Sequence, residues 1–233
     1  MNDTAKITYL FNSGFILETD NWAMIFDYYL DEHNLVLPAI ENKREVYFFA
    51  SHAHFDHYNP QIAKFSGKAT RYFLSYDIKK ALPPENKTVI LDEYTTYEDN
   101  GILVKSFSST DEGICFYIEK DGWRIFHAGD FNWWHWKGDT AENIAFARNG
   151  FKKQLKLMEN LQTDIAFFPV DSRLEEFWDI GAREFAAHTK VKNLITMHNV
   201  SHKIWQVPDD FPHKDEISVW SPRFAGDTHI IKR

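Results

Sequence analysis

The 233-residue chain has a single cysteine, Cys115, so it cannot close an internal disulfide and is expected to work in a reducing compartment, the cytoplasm. Cys115 falls in the apolar run Ile114 to Ile118, which suits a small buried residue better than a nucleophile. No apolar run approaches the ~20 residues that span a bilayer. The first residues, MNDTAKITYL, lack the basic start and apolar core of a signal peptide, so no membrane partner is expected. Basic charge is scarce as well. Lys and Arg number 26 against 34 Asp and Glu, a net charge of -8. No basic stripe is present for a phosphate backbone to follow, so long nucleic acid is not expected as a partner. Lys152, Lys153 and Lys156 fit one solvated helix face. Linkers rich in Gly, Pro or Ser are missing too, and so are repeats, so residues 1–233 read as one domain with ample core.

Aromatic residues are plentiful at 16%, including 20 Phe and 8 Trp. Composition alone leaves open whether they fill a thick core or line a pocket. The chain also carries 11 His, three of them within Ser51 to Pro60, SHAHFDHYNP. The run before it, Val46 to Ala50, is aromatic and β-branched, a buried strand. In extended backbone His52 and His54 point the same way and can converge on one cation. Asn59-Pro60 reads as the N-cap and first position of a helix through Phe65. The turn between strand and helix can bring Asp56 and His57 to a second cation. Imidazoles with a carboxylate suit zinc, and manganese or iron are also compatible. A cluster of solvated loop histidines is the competing reading.

Around this stretch, Ile7 to Phe11 and Phe15 to Thr19 flank the turn Asn12-Ser13-Gly14, and Trp22 to Phe26 is a third strand ending at Asp27. Tyr28 to Arg44 is irregular and polar, a loop expected over the site mouth, with His33 inside it. Short strands are expected at Thr70 to Leu74, Thr88 to Leu91, Ile102 to Phe107, Ile114 to Ile118 and Trp123 to Phe126. Ala141 to Leu161 has helical spacing, with Phe151, Leu155 and Met158 on one face to cover a sheet. Ile165 to Val170 (strand), Gly181 to His188 (helix), Leu194 to Met197 and Thr228 to Ile231 (strands) follow. A β-rich half followed by alternating helix and strand predicts an α/β (α+β) protein with layered sheets and helices outside.

The His-x-His-x-Asp-His pattern after a strand resembles the signature of the metallo-β-lactamase superfamily. The resemblance implies a four-layer αβ/βα sandwich and one or two divalent metal ions. It also implies a ligand set of His52, His54, Asp56, His57, Asp130 from the Gly129-Asp130 pair, and His198 after the late strand. His202 is a second candidate for that last position. Asp130 would bridge two metals, and Asp27 would support the histidine loop without binding metal. Where the superfamily has a further histidine, this chain has Ser108 to Gly113 without one. Asp111 is the expected substitute, giving a more oxygen-rich site; His135 reaching across, or a single-metal centre, are the alternatives. Trp134, His135 and Arg173 are candidate pocket residues, with core packing the competing reading for the aromatic stretch and a surface ion pair the competing reading for Arg173 as a clamp for carboxylate or phosphate; His127 is expected to support the ligands from behind or to pack.

The implied activity is that of a metal-dependent hydrolase similar to the sugar-phosphate-lactonase-like branch. A metal-bound hydroxide would cleave a small ester, lactone or phosphoester, with Asp56 orienting the nucleophile. A phosphodiesterase or nuclease of the same fold is one alternative, and a non-catalytic metal-binding or interaction protein with a degraded site is another. An oxygen-reducing di-iron role is disfavoured, because His54-Phe55-Asp56-His57 lacks the glutamate of such relatives. Sequence gives no oligomeric state.

Overall fold

Two seven-stranded sheets face each other, and both follow the same plan. In the computed structural model, which describes residues 3–199, 201 and 203–233, the first sheet opens with antiparallel strands β1 (Thr4–Phe11), β2 (Gly14–Glu18) and β3 (Trp22–Phe26). It continues in parallel through β4 (Glu45–Ala50), β5 (Arg71–Ser75) and β6 (Thr88–Leu91). The second sheet begins antiparallel with β7 (Thr96–Asp99), β8 (Ile102–Ser108), β9 (Ile114–Lys120) and β10 (Trp123–His127). It too turns parallel, through β11 (Gln162–Pro169), β12 (Lys190–Met197) and β13 (Ser218–Trp220). The last strand, β14 (Thr228–Lys232), returns antiparallel to the edge of β1.

Parallel neighbours need crossovers, and here these carry the helices. Helix α1 (Val36–Ile40) joins β3 to β4, and a 3-10 segment, Pro60–Phe65, joins β4 to β5. Helix α2 (Ala141–Leu157) precedes β11, and α3 (Ile180–His188) joins β11 to β12. The result is the αβ/βα sandwich, and its aromatic content explains how four layers hold together. Successive strand residues point to opposite faces. In β4, Phe49 turns inward against Phe26 and Phe116, while Phe48 turns outward onto Phe65 and Tyr72. In β11, Phe167 meets Phe15 and Phe26 across the sheets, while Phe168 meets Phe185 of α3. Each such fully buried ring contributes about 1.5–3 kcal/mol.

Two expectations need correcting, and two strands are added. The segment from Tyr28 to Arg44 does not cover the site mouth. Its helix α1 packs Val36 and Ile40 into the cluster behind the first sheet, and none of its residues lines the main cavity. Helix α2 ends at Leu157 and not at Leu161, because the chain leaves the helix before Asn160, which takes a left-handed conformation at φ 64. The edge strands β7 and β13 were not expected; TYED is too polar and SVW too short for periodicity to reveal.

Candidate metal centre

The carboxyl ends of β3, β4 and β12 are followed at once by Asp27, Ser51-His52 and His198, and those of β10 and β11, after one or two small or apolar residues, by Asp130 and Asp171. Because β2 and β9 run antiparallel to their neighbours, their amino ends lie at the same rim. That adds the turn Asn12 to Gly14 and the loop Ser109 to Gly113. Backbone bonds lock these segments together: Ile114 N–H donates to Ser51 O at 2.9 Å, and His198 N–H to Asn12 O at 3.0 Å. Gly113 (φ +70) and Gly129 (φ +52) permit the closest approaches. A Cβ on Gly113 would lie 2.0 Å from Ser51 O, and one on Gly129 would lie 2.7 Å from Ser51 Cβ. Asp27 (φ 41) and His198 (φ 60) adopt left-handed backbone with full side chains, a strain of about 1–3 kcal/mol each, held by the surrounding structure.

Hydrogen bonds fix how the histidines point. Asp27, wholly buried, accepts from Ser51 N–H, from the Ser51 hydroxyl and from His57 Nδ1, each at 2.8 Å. With its proton given to Asp27, the Ser51 hydroxyl accepts from His52 Nδ1 at 3.0 Å. His198 Nδ1 donates to buried Asp171 at 3.0 Å. Three imidazoles thus have their Nδ1 protons committed, which leaves each Nε2 lone pair for the centre. His54 is reversed: its Nδ1 lies 3.0 Å from His52 Nε2, and its Nε2 lies 3.2 Å from Glu112 Oε2.

Asp130 stands in the middle. Its Oδ1 lies 3.2 Å from His57 Nε2 and 3.5 Å from His198 Nε2, and its Oδ2 lies 3.6 Å from His52 Nε2. Two donor groups result, each with its ligand atoms within 4.8 Å of one another: an outer one of His52, His54 and Asp130, and an inner one of Asp56, His57 and His198. Asn12 Nδ2 donates to Asp56 at 3.0 Å and aims that carboxylate at the inner group.

Whether divalent ions fit here is decided by two orphaned atoms. His57 Nε2 and Asp130 Oδ1 are buried and without a hydrogen-bond partner. Ligand atoms sharing a tetrahedral zinc at ~2.1 Å stand about 3.4 Å apart, close to the 3.2, 3.5 and 3.6 Å that separate Asp130 from the three imidazoles. Without metal, the site calls for positive charge in another form. Burial alone would lower the pKa of His57, but Asp130 and Asp27 hold it up, at about 9. Burial, with the neighbouring His57, takes His52 down to about 4. Burial opposes ionisation of Asp130 too, yet His198 and His57 keep its pKa below the usual range. A proton on His57 stands where a cation belongs.

The centre opens into a cavity of about 600 Å³. Arg173 and Trp134 line it; Trp134 meets the His198 ring edge-on, and Trp136 stacks on Trp134. Asn143, Phe146, Ala147, Gly150 and Gln154 form one face of α2 along the opposite wall. His135 is elsewhere, stacked on Phe177 at 4.0 Å and absent from the lining. Asp111 lines the cavity, exposed, but its carboxylate falls outside both donor groups; Glu112 is the residue against His54. His127 packs on Phe26 and bonds Ser13 O at 3.0 Å. His33 is exposed within the 28–44 segment and does not line the cavity, and His202 lies outside the described residues. Sequence reasoning missed Asn12, Ser51, Glu112 and Asp171. Asp171 alone had a signal, a carboxylate at a strand end like Asp27.

The β-lactamase superfamily domain model matches residues 6–143. Among solved structures, a metallo hydrolase from the archaeon Ignicoccus hospitalis is similar over 99% of both chains at 18% identity, with a TM-score of 0.67. A metallo-β-lactamase-fold protein from Bacillus subtilis is similar over 98% of this chain and 99% of its own at 14% identity, TM-score 0.59. A diiron β-hydroxylase from Streptomyces venezuelae matches all of this chain with 55% of its own length at 10% identity, TM-score 0.61. No curated protein matches significantly.

Proposed function

The chain belongs to the β-lactamase superfamily, and we propose that it is a metal-dependent hydrolase of a small ester, lactone or phosphoester. The observation that carries this reading is the pair of partnerless buried atoms, His57 Nε2 and Asp130 Oδ1, facing each other between two groups of oriented ligands. His52, His54 and Asp130 would hold one divalent ion, and Asp56, His57, His198 and Asp130 a second. Asp111 lines the cavity outside both groups. When bound, such ions polarise the substrate's scissile group and bring coordinated water to a pKa of about 7. Zinc suits the imidazole-rich set best, and manganese or iron is compatible with the carboxylates.

The chain's own residues supply the rest. Asp56, half-exposed and held by Asn12, faces the cavity where it can orient the attacking water and accept its proton. Trp134 and Trp136 offer a flat apolar wall, and Arg173 is the one lysine or arginine among the described residues lining the cavity. Arg173 is braced by Asp171 through Nε and Nη2, which leaves Nη1 for a substrate carboxylate or phosphate. A cavity with one arginine and several carboxylates supports a small-molecule substrate over a polynucleotide. The lone buried thiol, Cys115, supports a cytoplasmic location. No helix among the described residues is long and apolar enough to cross a membrane.

The test is a panel of chromogenic lactones, carboxylic esters, phosphomonoesters and phosphodiesters, assayed with chelator-stripped protein and again after adding zinc, manganese or iron. Turnover of at least one class that depends on metal and disappears in Asp130→Asn supports the reading. Tight metal binding with no turnover of any class would favour a non-catalytic role.

A further inference from the structure

The two donor groups are built differently, and the difference lies in what stands behind each histidine. In the inner group, His57 and His198 are buried, and each outer nitrogen rests on a fully buried carboxylate, Asp27 or Asp171. Asp56 is braced by Asn12, and Asp130 Oδ1 lies within 3.5 Å of both inner imidazoles, so four protein groups converge. The outer group has three. His52 leans on a neutral hydroxyl, Ser51, and His54, with a side chain 44% exposed, leans on Glu112, itself 56% exposed. A carboxylate behind an imidazole raises its basicity and fixes its ring, more so when buried than when water competes.

Glu112 is not placed there by accident of a loose loop. Gly113 is wedged against Ser51 and His52, and Ile114 N–H bonds Ser51 O, so the residue before Gly113 is delivered to the His54 ring.

Resting on the metal-dependent reading above, we propose that the two positions load in order: the inner ion is resident, while the outer ion is weakly held and exchangeable, with Glu112 as the positioning residue that sets its affinity through His54. The outer ion is therefore the one that a change of metal supply replaces. Both groups border the cavity, the outer through His54 and the inner through Asp56 and His198, so the difference in hold comes from what stands behind the histidines.

The experiment titrates the metal-free full-length chain with zinc against a chromophoric chelator. Two steps are expected, the second at least tenfold weaker. Glu112→Gln should weaken the second step by about 10–100-fold and leave the first unchanged, Glu112→Asp should recover part of the loss, and Asp171→Asn should weaken the first. Cobalt added after one equivalent of zinc should report the outer ion by its visible bands, and Glu112→Gln should shift those bands, which a merely structural role would not do. Equal affinities in the wild type, a second step indifferent to Glu112→Gln, or a single ion at any metal concentration would each overturn the proposal. Binding of no ion at all would instead remove the metal-dependent reading on which it rests.

Discussion

The floor of the cavity and its walls differ in how firmly they are held. On the floor, His52, His57, Asp130 and His198 are buried, and each histidine nitrogen facing away from the centre has a hydrogen-bond partner within 3.0 Å. On the walls, Phe146 is 80% exposed, Trp136 38% and the Arg173 side chain 49%. The floor is fixed before any ligand arrives, as chemistry that depends on charge at defined positions requires. The walls carry the substrate-facing groups on side chains that stay partly or largely exposed, so they can change at less cost to the fold than the floor can. Reaction type and substrate choice are thereby divided between two regions with different stability.

The sharpest way to break this contrast is to substitute on the floor. Asp27→Asn leaves His57 Nδ1 without its buried carboxylate, and should cost about 3–5 kcal/mol of stability and about 10–100-fold in metal affinity. Chemical denaturation and a chelator competition read the two losses separately. Asn12→Ala should leave metal content near that of the wild type while lowering kcat by about 10–100-fold, the equivalent of a hydrogen bond of about 1.5–3 kcal/mol to ionised Asp56. On the wall, Arg173→Gln should raise KM for anionic substrates by about tenfold, with a smaller change for neutral ones; an equal rise for both would place Arg173 outside substrate recognition. Phe146→Ala should shift stability by less than about 0.5 kcal/mol, with only a severalfold change in KM.

The floor also has a pH signature in the metal-free chain. His57 is raised from its ordinary 6.5 to about 9, so its contribution to stability is complete below pH 6.5 and lost as the pH rises through about 9. Thermal unfolding of metal-free protein should therefore fall in midpoint across that range. Zinc-loaded protein should not show the fall, since metal binding displaces the same proton.

How much of this was legible beforehand follows the same division. His52, His54, Asp56 and His57 stood out because four chemistry-bearing residues fell within six positions of one strand end. The layered sheets were legible from alternating aromatic runs, because burial on both faces leaves a short, dense pattern. Asn12 was hidden, since an Asn-Ser-Gly turn is an ordinary hairpin signal until the fold carries it to Asp56. Glu112 was hidden for a related reason: its meaning depends on Gly113 docking against Ser51, a contact 62 residues apart in the sequence. Helix α2 was read by its apolar face alone, and the face toward the cavity, mixed in character, had no periodicity to mark it.

The measurement that bears most directly on the metal centre is an anomalous-scattering map from crystals grown with zinc and without chelator. Two peaks about 3.5–4 Å apart are expected, flanking Asp130, with the stronger between Asp56, His57 and His198. No peak at Asp130, or metal bound only elsewhere, would contradict the reading of this rim as a catalytic metal site.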